Sequence, residues 1–307
     1  MDESVTITIK TNPMTIRRSE EIMTSTISCR NGSVKQGGGL RLVAGYRCCA
    51  GILHLDLVFS DSVGNGDRCQ AHRQPPLPPP RAHCIYDGRM KRVLLSWSSG
   101  KDSAWALHFL RQQPGIELAG LLTTLNSEFQ RVAMHGTRRS VLEAQAEAAQ
   151  LPLWIVPLPW PCSNEIYERK MTEVCNRAVS EHVDAMAFGD LFLPDIRAYR
   201  EAQLKPTGLE PLFPLWGLPT ATLARDMIAG GLCAKLACVD SKQLAESFAG
   251  REFDAALLRD LPPEVDPCGE RGEFHTCVYD GPMFTNPVKM EAGEIVNRDG
   301  FVYADFQ

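Results

Sequence analysis

Between residues 93 and 107 the sequence reads VLLSWSSGKDSAWAL: an apolar run, a knot of small residues around a lysine and a carboxylate, then helical spacing. Ser98, Ser99, Gly100 and Ser103 are small enough for backbone amides to approach an anion closely. A helix starting directly afterwards presents the positive end of its dipole to that anion. Lys101 adds a mobile charge, and Asp102 can hold a magnesium ion bridging phosphates. This chemistry suits phosphate, yet the loop is not of the Walker type, which requires G-x-x-x-x-G-K-[ST]. Here Asp102 follows Gly100-Lys101, and Leu95 stands where the first glycine belongs. A capped helix with a decorative serine cluster is the alternative reading of the bare pattern.

Other clusters carry residues able to act on a bound ligand. Glu270 and Glu273 share a glycine-rich turn beside an apolar strand. The glycines bring backbone and ligand together; in open solvent the pair would be ordinary surface charge. His135, between Met134 and Gly136, lies in a loop after a strand. Asp190 ends an apolar strand, where a carboxylate without a partner is costly. Arg197, Arg200 and Glu201 read equally as a ligand-facing set or as a solvated helix face. Trp216 reads as core.

These residues need a scaffold, and the periodicity supplies one. KRVLLSW reads as a strand, DSAWALHFLRQQ as a helix and IELAGLLTTL as a second strand. TRRSVLEAQAEAAQ places Val141, Leu142, Ala146 and Ala149 on one helical face, and PLWIVPL is a third strand. NEIYERKMTEVCNRAVSEH is an amphipathic helix opening on Asn164 as its N-cap. VDAMAFGD is a fourth strand, TATLARDMIAGG a helix closed by Gly230-Gly231, and LCAKLACVD is apolar again. Strands alternating with helices predict an α/β fold, with a mostly parallel sheet covered on both faces. Ligands bind such sheets beyond the carboxyl ends of the strands, which is where SWSSGKDS falls.

The bulk numbers set limits. A chain of 307 residues, 44% hydrophobic and 22% charged, is ordinary for a soluble globular enzyme. No apolar run approaches the roughly 20 residues needed to span a bilayer. Met1-Asp2-Glu3 leads into no cationic and apolar signal, so a cytoplasmic location is expected. None of the 11 cysteines forms a C-x-x-C pair, so reduced, mostly buried thiols are expected rather than zinc or disulfides. Residues 1–89 are punctuated by KQGGGLR, VGNGDR and RQPPLPPPRAH and carry a net charge of +3, leaving −8 for the remainder. They read as a disordered leader or a translated non-coding stretch before a functional start at Met90, with a small regulatory module as the rival. LRLVAGYRCCAGILHLDLVF within them allows a hairpin. Residues 90–240 read as the ligand-binding α/β domain and 241–307 as a smaller substrate-side portion.

At this point resemblance becomes specific. SSGKDS resembles the S-G-G-x-D-S loop of the PP-loop ATP pyrophosphatases, with Ser99 where those carry glycine. If that position needs positive φ, the serine is strained. GERGEFHTCVYDGPMF (269–284) resembles the G-E-x-G-E-F-x-T signature of the diphthine–ammonia ligase family. MHG (134–136), GDLFLPDIRAYRE (189–201) and PLWG (214–217) fit the same family in the same order. His275 stands where those ligases usually carry glutamate.

The resemblance implies a HUP-type, Rossmann-like domain with a smaller C-terminal α+β portion. It also implies an ATP-dependent ligase that adenylates a carboxylate, releases pyrophosphate and lets free ammonia displace AMP. ATP and Mg2+ would be needed. Ser98, Ser99, Gly100, Lys101, Asp102 and Ser103 would grip the pyrophosphate, with Asp102 on the metal. Lys101, Asp102, Glu270 and Glu273 would be catalytic, Glu273 as base toward the amine. His135, Asp190, Arg197, His275 and Thr276 would surround a carboxylate on a protein side chain or a small molecule. No nucleic acid or membrane partner is implied; a homo-oligomer is possible. One rival is a transfer-RNA thiolase, which often needs paired cysteines and an electropositive surface. The other is a sensor that binds adenine nucleotide without turnover.

Overall fold

The structure, a computed structural model, describes residues 89–132 and 135–307, and upstream the backbone of two short strands. Those strands, β1 (Cys48–Cys49) and β2 (Ile52–Leu53), pair antiparallel with Cys48 opposite Leu53. They fall inside the stretch for which the sequence allows a hairpin. The leader reading of residues 1–89 otherwise lies outside the described residues.

From Arg89 onward the strand–helix alternation is present. In chain order come β3 (Lys91–Ser96), α1 (Lys101–Arg111), β4 (Ile116–Asn126), β5 (Arg131–Val132), α2 (Arg139–Ala148) and β6 (Leu153–Leu158). These are followed by α3 (Asn164–Ser180), β7 (Ala185–Ala187), α4 (Pro194–Leu204), β8 (Glu210–Leu212) and α5 (Thr220–Ala229). The parallel strands lie in the spatial order β6-β4-β3-β7-β8, and β5 folds back antiparallel on the end of β4. Strand β3 shows why helices cover both faces. Val93, Leu95 and Trp97 pack with α1 and α5, while Leu94 joins the cluster under α3. Each such fully buried side chain stabilises by roughly 1.5–3 kcal/mol. Helix α3 is capped by Ser163, whose hydroxyl accepts from the Ile166 amide at 3.3 Å. The cap therefore sits one residue before the expected Asn164.

A second sheet completes the chain. It is built from β9 (Cys233–Asp240), β10 (Phe274–Asp280), β11 (Ala292–Arg298) and β12 (Phe301–Phe306), ordered β10-β9-β12-β11 and antiparallel throughout. Between β9 and β10 lies the short helix α6 (Ala255–Asp260). The apolar stretch LCAKLACVD thus leaves the parallel alternation it resembles. Leu236, Ala237, Cys238 and Val239 are all buried, and a strand covered on both faces reads alike in either sheet type. The sheet shares one core with α1 and α5, through residues such as Leu236, Phe274 and Val302.

Candidate active site

The parallel sheet reverses its spatial direction between β3 and β7, and a cleft opens there at the strands' carboxyl ends, the switch point where such sheets bind ligands. Trp97, Ser98, Lys101, Asp102 and Ser103 come from the loop and first turn after β3. Phe188, Gly189 and Asp190 follow β7, and Arg200 comes from α4. His135 arrives from the loop before α2, and Gly269, Glu270, His275 and Thr276 from the stretch around the start of β10. The cavity is about 350 Å³, within the range of small-molecule sites. Close approach is essential at Gly189, because a Cβ there would stand 2.8 Å from the Asp102 carbonyl carbon and 2.9 Å from the Ser103 nitrogen.

The loop is held from behind. Ser99 is fully buried with φ +72°, the strained conformation that the serine-for-glycine departure implies. Its hydroxyl bonds Thr137 at 2.7 Å, and its carbonyl accepts from the Val278 amide at 3.0 Å. Gln145 of α2, itself fully buried, donates to that carbonyl at 3.1 Å and to the Val278 carbonyl at 2.7 Å, and accepts from the Trp97 indole at 3.0 Å. One amide thus ties loop, helix and second sheet together. Sequence reading missed it, since a lone glutamine in a helix carries no motif. Toward the cleft, the Ser98 and Ser103 hydroxyls lie 3.2 Å apart, and Ser103 donates to the Gly100 carbonyl at 2.9 Å.

Lys101 is not the mobile charge its position in the loop implied. It is 2% exposed. Its ammonium donates to Asp102 Oδ2 at 2.8 Å and to the Cys268 carbonyl, and lies 5.4 Å from the centre of the Phe274 ring. Burial disfavours its charge, but Asp102 and other acidic neighbours outweigh burial and hold the pKa above its ordinary value. Burial pushes the Asp102 carboxyl upward, against the pull of Lys101. Asp102 Oδ1 is buried without a hydrogen-bond partner. A lone carboxylate oxygen facing a phosphate-type loop fits a hard cation, since Mg2+ takes one or two carboxylates and completes its shell with phosphate and water.

The GERGEF turn divides its two glutamates between different tasks. Glu273 is 2% exposed, and its oxygens accept from the Asp266 and Arg271 amides, both at 2.9 Å. It does not line the cleft. Both carboxylate oxygens hold the turn, so the expected base toward the amine is not this residue. Buried Asp266, another residue sequence reading missed, supports the same turn by accepting from the Cys268 amide at 2.9 Å and the Thr220 hydroxyl at 2.7 Å. Gly269, at φ +66°, permits the turn; a Cβ there would meet the Phe274 carbonyl at 2.6 Å. Glu270 reaches the cleft and accepts from the Leu191 amide at 2.8 Å. Burial, with Asp102 and Asp190 nearby, pushes its carboxyl up to about 7.

Two histidines line the cleft side by side, His135 and His275, with ring centres 4.6 Å apart and ring planes tilted by 39°. Burial lowers both, His135 to about 4 and His275 well below its ordinary value, so both are neutral at pH 7. His135 Nδ1 lies 3.2 Å from the Thr276 carbonyl, while His275 Nε2 is buried without a partner. The Thr276 hydroxyl accepts from the Lys101 amide at 3.0 Å, locking β10 to the start of α1. Asp190 does face the cleft and accepts from Arg200 at 3.0 Å. Arg197 does not line it. That guanidinium pairs with Glu201 at 2.8 Å and stacks near Phe213 and Trp216. Arg200, which sequence reading left undecided, is the arginine at the cleft.

Fold and cleft define the class: an α/β protein with a Rossmann-like parallel sheet and a cleft at its switch point. Residues 220–304 match the family model described as diphthamide synthase C-terminal domain. A diphthine–ammonia ligase of Schizosaccharomyces pombe (strain 972 / ATCC 24843) is 29% identical over 227 residues, covering 67% of this chain and 37% of that protein. A diphthine–ammonia ligase of Danio rerio is 32% identical over 131 residues, covering 40% of this chain and 50% of that protein. On these matches the chain is similar to diphthine–ammonia ligases, and its C-terminal part to the diphthamide synthase C-terminal domain. It spans half or less of the length of these two relatives. Among the described residues no helix is long and apolar enough to cross a membrane.

Proposed function

We propose that the cleft catalyses ATP-dependent amide formation from a carboxylate and ammonia. The observation that carries this reading is the meeting of the SSGKDS loop and the GERGEF turn in one cavity, with Asp102 Oδ1 unpartnered between them. A substrate carboxylate oxygen attacks the α-phosphorus of ATP; that P–O bond forms as the bond to the β-phosphate oxygen breaks, and pyrophosphate leaves. Ammonia then attacks the acyl carbon, the C–O bond to AMP breaks, and the nitrogen loses one proton.

The chain's own contributions follow from position. The loop hydroxyls and the start of α1 receive the pyrophosphate. Lys101 is a fixed charge behind the loop that keeps Asp102 in place. Asp102 is the residue that would hold magnesium, which when bound neutralises charge on the departing pyrophosphate. Glu270, in the cleft with its carboxyl near 7, takes the proton from the attacking amine. The thiols argue against a sulfur relay. Burial raises both Cys268 and Cys277, the latter to about 12, which removes the thiolate such chemistry needs. ATP–pyrophosphate exchange across a panel of carboxylates tests the reading. Exchange that depends on one class of acid, with AMP and amide appearing once ammonium is added, is expected. ATP binding without exchange or AMP release points instead to a nucleotide sensor.

A further inference from the structure

Strand β11 is an outer edge of the antiparallel sheet, and β12 satisfies only one of its sides. Arg298 and Phe301 close the hairpin across the two-residue turn Asp299-Gly300, which makes them a hydrogen-bonded pair. At the other end Glu291 and Gln307 exchange both backbone bonds, at 2.7 and 3.1 Å. A bulge between Ala292 and Ile295 keeps the alternation in step between these two ends. Val296 therefore bonds inward to Tyr303, while the N–H and C=O groups of Ile295 and Asn297 point away from β12. No described strand pairs with that outer side. Glu294, Ile295, Asn297 and Arg298 are all exposed, Ile295 at 60%. Among the described residues neither Glu294 nor Arg298 makes an ion pair or a side-chain hydrogen bond within the chain.

Charges on an open edge ordinarily deter pairing, but here the two signs are spaced to suit a second copy of the same strand. We propose that β11 is a self-association edge, at which two copies of the chain pair antiparallel about a two-fold axis through Val296. Outward backbone groups must meet outward groups, so in the regular stretch the axis can fall only on Ile295, Val296 or Asn297. On Ile295 it sets Glu294 opposite Val296, and on Asn297 it sets Arg298 opposite Val296. On Val296 it sets Glu294 of each copy opposite Arg298 of the other, so one favourable pair is made twice. Ile295 then exchanges backbone bonds with Asn297 of the second copy. The two Val296 side chains meet in the close, non-hydrogen-bonded position, and the two Ile295 side chains become diagonal neighbours. Two four-stranded sheets become one of eight strands. The pairing uses the edge opposite β10, the strand that brings His275 and Thr276 to the cleft.

Sedimentation velocity on the full chain across a range of concentrations tests the pairing. A reversible equilibrium between monomer and dimer is expected, since one strand pair makes a small interface. Glu294→Arg sets arginine against arginine in both pairs and is expected to weaken the dimer about tenfold or more. Arg298→Glu is expected to do the same with glutamates, and the two exchanges together to restore wild-type affinity. Hydrogen exchange locates the interface: the Ile295 and Asn297 amides are expected to gain protection as the dimer forms, while Val296 is protected at every concentration. Thermal unfolding separates a lost interface from a lost fold, and if one single exchange does not fold, the other carries the same test. A monomer at every concentration overturns the inference. So does a dimer that tolerates the single exchanges, that the double exchange fails to restore, or whose Ile295 and Asn297 amides exchange as fast as in the monomer.

Discussion

Asp102 has two oxygens with different roles. Oδ2 is held by Lys101, and Oδ1 is buried with nothing to satisfy it. Asp102→Asn keeps the size and removes the metal-binding charge, so AMP release should fall by about 100-fold or more, as for loss of a preorganised electrostatic group. Nucleotide turnover at the wild-type rate would show that the free oxygen has no catalytic use. The two glutamates of the turn make a paired test. Glu270→Gln keeps the acceptor for the Leu191 amide and removes the base, so pyrophosphate exchange should persist while amide formation drops about 10²–10⁴-fold. The native state holds the Glu270 proton more tightly than the unfolded chain, so wild-type stability falls as pH rises toward 7. Glu270→Gln should therefore be the more stable protein at pH 8 and gain little near pH 4. Glu273→Gln should instead cost about 1–3 kcal/mol at neutral pH, because one of two buried amides loses its acceptor, and both half-reactions should weaken together. Chemical denaturation and the two assays distinguish these patterns. Sequence placed both glutamates in one turn but could not divide their tasks, because which of them faces inward depends on the turn's conformation.

At the scale of elements, the joint between the loop, α2 and β10 is the least legible part of the site. The loop announced itself through residue size and charge, and the strained serine through its departure from glycine. Gln145 gave no such sign, yet it contacts three segments. Gln145→Leu should cost on the order of 3 kcal/mol, since the Trp97 indole and two buried carbonyls lose partners at once. The melting temperature should drop, and the KM for ATP should rise as the loop loosens. An unchanged melting temperature would show that the three bonds contribute nothing net. The β11–β12 hairpin was legible but overlooked: Asp299-Gly300 is a strong turn signal, and Asp299 does adopt φ +53°. Strand β9 was misleading for the opposite reason, because burial on both faces erased the periodicity that separates sheet types.

For the whole molecule, the question is what keeps the second sheet against the first. Asp305 of β12 accepts from Arg131 at 2.7 Å and from the Arg138 guanidinium, joining the end of the chain to the region around β5. Hydrogen bonds from those two arginines hold its carboxyl well below the ordinary carboxylate range. A lowered native pKa stabilises above the unfolded value near 4 and is lost as pH falls through the native one. Asp305→Asn should lower the urea midpoint at pH 7, with the difference from wild type shrinking as pH falls below about 4. A constant difference at all pH values would mean the pairing is not electrostatic. The alternation of elements made the parallel sheet and its switch point readable from sequence. Bonds between residues more than 160 positions apart were not, because nothing local marks either partner.

The central claim is that a carboxylate oxygen is joined to the α-phosphorus of ATP in the cleft. It is tested most directly by supplying the acid with its carboxylate labelled in heavy oxygen, together with ATP and ammonium, and analysing the nucleotide product by mass spectrometry. The account predicts labelled AMP, one oxygen having passed from the acid to the phosphate, with unlabelled pyrophosphate. Unlabelled AMP, or label in inorganic phosphate beside ADP, would contradict it.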